Sequence, residues 1–173
     1  MKNYLVLLLS ALLTLPIVAV ENFNLEQKAQ QLMNSPEMHK SLTSGSKDKW
    51  IWYLEQFAAG NTDKLGAFVT SIMKGDENER LVFGAISTLI SENMGYAFYK
   101  SLGLEAEWND LISMKDRFEK QDPEVLQKGQ QLQKLMLEKF SQLPELEANS
   151  VKEKAETDIL AAVNLLITLL KQA

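Results

Sequence analysis

Apolar residues along this chain recur three and four positions apart almost throughout, the spacing of one helix face, and no stretch alternates apolar and polar long enough to argue a strand. The exception is the beginning. From Tyr4 to Leu15 the residues are almost wholly apolar, preceded by Lys2 and followed by Pro16, Ala19 and the polar pair Glu21-Asn22. A short positive region, an apolar run of that length and a small residue before a polar turn make a secretory signal. The expectation is a signal peptide over residues 1–19, cut after Ala19 with Val20 as the alternative, and one helical domain over 20–173. An uncleaved membrane anchor is the rival reading, because Tyr4 to Val20 approaches the shortest span of a bilayer.

Local signals then divide the remainder. Asn24 with Gln27 forms a capping box, and Ser35-Pro36 offers a cap with proline in the first helical turn. Ser44-Gly45-Ser46 reads as a loop. A helix from about Lys47 to Ala59, stopped by Gly60, carries Trp50, Tyr53, Leu54 and Phe57 on one side, with Trp52 projecting sideways. Leu65, Phe68, Val69, Ile72 and Met73 give the next stripe, ended by Gly75. Asp76 with Glu79 opens the longest helix, to about Ser101 or Leu102. It is apolar on most sides (Leu81, Val82, Phe83, Ala85, Ile86, Leu89, Ile90), as expected of a helix through the middle of a bundle. Within it, Gly84 and Gly95 suggest close approach of a neighbouring helix. After Gly103 comes a helix with Trp108, Leu111, Ile112 and Phe118, and Asp122-Pro123 caps another that Pro144 must end. Ser150 with Glu153 makes a third capping box. It is expected to start the last helix, which buries Ile159, Ala162, Val163, Leu166, Ile167 and Leu170. Leu165 and Leu169 lie off that stripe, where they either widen the buried face or make a contact in a homo-oligomer. The predicted architecture is all-α, a single irregular bundle of about seven helices joined by short connections.

Composition narrows the chemistry. The chain has 173 residues, no cysteine and a single histidine, with 18 Lys and Arg against 23 Asp and Glu. Disulfides, thiolate catalysis and cysteine zinc sites are excluded, as is a metal face of two histidines from one chain. The net charge is −5, and loss of Lys2 with the signal makes it −6. Basic residues are interspersed with acids, so no phosphate-tracking surface forms and nucleic acid is not an expected partner. The apolar run from Ile159 to Leu170 is too short to span a bilayer, so the mature domain is not expected to be membrane-spanning. Lack of a cysteine after the signal argues against a lipid anchor. Without disulfides or glycosylation sequons, the bacterial periplasm is the expected compartment, with secretion as the alternative.

Few residues suggest a site. His39, in Glu37-Met38-His39-Lys40, has no ligand-spaced companion and reads as a surface residue. Most carboxylates stand at helix starts, where they cap amides and complement the helix dipole. Glu92 is the exception, mid-helix beside Asn93 and one turn before Tyr96. Glu92, Asn93, Tyr96 and Tyr99 line a polar pocket if they face inward and are solvated surface if that stripe faces out, the latter being expected. Trp52 is the candidate for a partner surface, because tryptophan is enriched at binding hot spots. Nucleophile elbows, phosphate loops and dinucleotide fingerprints are absent from the sequence, and no cofactor is expected. The sum points to a non-enzymatic exported protein that binds another protein, as an inhibitor or immunity protein or as an envelope chaperone. Two alternatives remain open: a carboxylate-dependent cell-wall glycan hydrolase, and a helical carrier of an apolar ligand lined by Met73, Met94 and Met136.

Overall fold

The structure, a computed structural model, describes residues 24–114, 117 and 120–173. The signal sequence and its cleavage site, like Phe118, lie outside the described residues. Among those described there are eight α-helices and no strand. They are α1 (Leu25–Met33), α2 (Pro36–Thr43), α3 (Lys47–Ala59), α4 (Thr62–Met73), α5 (Glu77–Ser101), α6 (Glu105–Ser113), α7 (Pro123–Ser141) and α8 (Glu145–Gln172). No helix among them is long and apolar enough to cross a membrane.

Most helix ends follow from local chemistry. Asn24 Oδ1 accepts from the Gln27 amide at 3.0 Å, Ser35 Oγ from Met38 at 3.2 Å and Asp76 Oδ1 from Glu79 at 2.8 Å. Each satisfies an amide that the first helical turn leaves without a partner. Asp122 Oδ1 accepts from the Glu124 amide at 3.0 Å, with Pro123 in the first turn of α7. At the other ends, Gly60 and Gly103 take left-handed backbone at φ 73° and 66°, where a Cβ would be strained.

The start of the last helix differs from expectation. It begins at Glu145, directly after Pro144, so Ser150 and Glu153 are interior residues and their capping-box pattern is not used as a cap. A proline with acids behind it suffices to open a helix, since Glu145 and Glu147 complement its positive end.

The helices gather into two compact units whose division falls within α5 and α8. The first comprises Asn24–Ile90 and Leu160–Ala173. Its core holds Met38, Trp50, Leu54, Ile72, Ile86 and Leu166, all at most 1% exposed. α5 shows water one side here: Leu81 is 52% exposed, and a Cβ built on Gly84 would meet nothing within 4 Å. The expected close approach at Gly84 is therefore absent, and Leu81 is not a core residue.

The second unit comprises Ser91–Ile159. Phe98, Tyr99, Leu104, Trp108, Val125, Leu132, Met136 and Ala155 form its core. Tyr99 stacks on Trp108 at 4.7 Å between ring centroids, and Phe98 lies 5.4 Å from Phe140. From Glu92 to Tyr99, α5 is buried at every position but Tyr96, which is half-buried.

Candidate functional site

The first unit concentrates its aromatic residues around Phe68 of α4. Tyr53 stacks on that ring at 4.9 Å with 18° between planes, and Trp50 meets it edge-on at 6.1 Å. Phe83 of α5 closes against Tyr53 at 5.5 Å. Trp52 leans on the same Phe68 at 5.6 Å and 37° yet remains 40% exposed. α3 turns about 100° per residue, which sets Trp52 about 100° round the axis from Tyr53 and about 160° from Trp50 and Leu54. Those three take the inner face, so Trp52 points further outward than sideways, and only its ring reaches Phe68.

Two further interactions fix α3. The fully buried Trp50 indole donates from Nε1 to Ser41 Oγ on α2 at 2.7 Å. Lys49 forms an ion pair with Glu79 of α5, and its ammonium lies 5.7 Å from the Trp50 ring. Burial pushes the Tyr53 hydroxyl above its usual pKa, partly offset by the Ser87 hydroxyl beside it. Trp52 is thus an exposed ring on a tightly held support. Spacing along the chain does not join Ser41, Phe68 and Phe83 to this assembly, because the contacts that do so span α2 to α5.

The polar stripe of α5 lies in the second unit and does not face water as expected. Glu92 and Asn93 are 9% and 6% exposed and Tyr99 is 6% exposed. Three of its four members engage other elements. Asn93 Nδ2 donates to the Asp158 carbonyl of α8 at 2.7 Å. The Tyr96 hydroxyl donates to the Glu105 carboxylate at the start of α6, and Lys100 lies 3.4 Å from that hydroxyl. Holding its proton on Glu105 raises the Tyr96 pKa, and burial adds to this. Tyr99 has its ring against Trp108, and burial pushes its hydroxyl up to about 12. The stripe therefore ties α5 to α6 and α8.

His39 is exposed, at the rim of a groove of about 460 Å³ in the first unit. Gln30, Asn34, Gln172 and the apolar Met33, Leu42 and Leu169 also line it. Among the described residues no three His, Asp or Glu side chains lie close enough to hold a metal ion. The methionines expected to line an apolar cavity are separated by exposure: Met94 and Met136 are 3% exposed, whereas Met73 is 60% exposed. Met73 therefore faces water at the end of α4 and lines no enclosed cavity. No known protein family, no curated protein and no solved structure matches this chain.

Proposed function

We propose that this chain is an exported periplasmic protein that binds another protein through a helical surface on its first unit and catalyses no reaction. The observation that carries this reading is Trp52. About two fifths of a large indole faces water while the ring is held by Phe68, itself fixed by Tyr53 and Trp50. That leaves roughly 100 Å² of aromatic surface, worth about 2.5 kcal/mol if a partner covers it. Little ordering entropy opposes such binding when the ring is already seated, the usual property of a hot-spot anchor.

The non-catalytic part of the reading accords with structural causes for several shifted groups. Displaced pKa values among the described residues include those of Tyr53, Tyr96, Tyr99, Lys100, Arg117 and Asp122. Each is explained by burial or by a partner that closes a helix end or a turn. Arg117, for example, holds Asp122 below the usual carboxylate range while Asp122 caps α7. Export rests on Lys2, the apolar run to Leu15 and Ala19.

The test is site-specific photo-crosslinking in the intact cell. A photoreactive phenylalanine analogue at position 52 should give one discrete protein adduct in the periplasmic fraction, carried by a processed chain. The same analogue at Leu146, which is 84% exposed in the second unit, should not. Equal adducts from both positions, or none from position 52, would reject the surface. An unprocessed chain in the cytosol would reject export.

A further inference from the structure

The exposed side of α3 has a chemical character that points to the kind of group a partner would present, an inference that rests on the protein-binding reading and deepens it. Its exposed residues from Asp48 onward are Asp48, Trp52, Glu55 and Ala59. At 100° per residue all lie within about 60° of Trp52 around the helix axis. One acid thus stands a turn before the indole and another a turn after it. Asp48 forms no ion pair among the described residues. Among the described residues Glu55 pairs only with the end of Lys171 at 3.5 Å, and both side chains are at least half exposed.

Elsewhere the chain covers aromatic faces with its own cations. Lys49 lies 5.7 Å from the Trp50 ring, Lys100 5.2 Å from Tyr96 and Lys152 5.5 Å from Phe140. Indole attracts a cation more strongly than the other aromatic rings do. Yet no Lys or Arg among the described residues lies over Trp52. The charge on this face is also local. Residues 24–90 and 160–173 carry eight acids and eight bases, so no net field of the unit draws cations to it.

We propose that the stripe receives an arginine side chain of the partner protein. The guanidinium stacks on the open indole face, and the carboxylates of Asp48 and Glu55 accept its N–H groups from either side. Arginine suits the arrangement better than lysine, because its planar group stacks and offers donors along more than one edge. Lys171 is displaced from Glu55 as the partner enters.

The experiment is calorimetric titration of the full chain with an acetylated, amidated tetra-arginine peptide. The same peptide built of citrulline, the uncharged isostere, is the comparison. The arginine peptide should bind at least about tenfold more tightly. Trp52→Ala and the double variant Asp48→Asn/Glu55→Gln should each weaken it by about tenfold or more. The control Glu145→Gln/Glu147→Gln removes two exposed charges from the second unit and should change affinity less than twofold. Equal binding of the two peptides, indifference to either stripe variant, or an equal loss in the control would overturn the proposal. If Trp52→Ala abolishes both peptides alike, the cation is wrong and Trp52 still docks a partner. If position 52 gives no protein adduct while the arginine peptide needs Trp52 and both acids, the protein-binding reading falls and the guanidinium site stands.

Discussion

Replacing Ser41 by alanine should remove a single hydrogen-bond acceptor from the best-buried polar contact in the first unit. Ser41 is 2% exposed and Trp50 is not exposed at all, so water cannot replace the lost oxygen at Nε1. A buried N–H left without an acceptor costs about 1–3 kcal/mol, more than the net worth of an average hydrogen bond. Phenylalanine at position 50 carries no N–H to orphan. Trp50→Phe should itself cost about 2–3 kcal/mol through lost packing against Phe68. In that background Ser41→Ala should then cost less than about 0.5 kcal/mol. The pair should show a coupling of about 1–2 kcal/mol in a double-mutant cycle, read from urea unfolding of the full chain by helical circular dichroism. The outcome bears on function, since the same indole positions α3 and with it Trp52. A Ser41→Ala cost that is equal in both backgrounds would refute the assignment. So would a cost below about 0.5 kcal/mol in the otherwise native chain.

Three other outcomes are expected on the same physical grounds. Gly84→Ala should raise stability by about 0.5–1 kcal/mol, because the added methyl meets open space on a helix where glycine only adds unfolded-state freedom; a loss in thermal unfolding would show a neighbour at that position. Burial raises the Tyr99 pKa from 10.0 to about 12, so the stabilisation is complete below pH 10 and declines as pH rises towards 12, by roughly 2–3 kcal/mol in all. Tyr53 shifts the same way, so Tyr99→Phe should flatten but not abolish the alkaline loss of stability in a pH series of urea midpoints. Asn93→Ala should cost about 1 kcal/mol and raise amide exchange around Asp158, and unchanged exchange there would argue against the contact to α8.

Helix ends were legible because they are decided locally. Asn24, Ser35, Asp76 and Asp122 each act within three residues of themselves, and Gly60 and Gly103 act through their own backbone. The misplaced start of α8 has the same root, since Ser150 and Glu153 carry a capping pattern that nothing local marks as unused. Burial on α5 was less legible for a different reason. Its apolar residues occur on most sides, so periodicity assigns no single inner face. Leu81 and Gly84 are turned to water, while Asn93 and Tyr99 are buried against Asp158 of α8 and Trp108 of α6. Those neighbours lie on other helices, and no window along α5 contains them.

The site divides in the same way. That Trp52 leaves the buried face of α3 follows from helix geometry alone, whereas its support by Phe68 needed α4 in place. Net charge was the least informative signal, because it averages over two dissimilar units. The first is balanced, and residues 91–159 hold fourteen acids against nine bases. The overall acidity that argues against nucleic acid therefore says nothing of the α3 stripe, where two carboxylates act at contact distance. Salt separates the two effects. Attraction to the net charge of the second unit acts over several ångströms of water and fades once the screening length falls to about 10 Å at 0.1 M salt. A guanidinium stacked on Trp52 between Asp48 and Glu55 should keep most of its affinity there and weaken mainly towards 1 M, where screening reaches about 3 Å. Affinity for the tetra-arginine peptide that collapses between about 0.02 and 0.1 M salt would place the attraction in the second unit instead, and would remove Trp52 from the account.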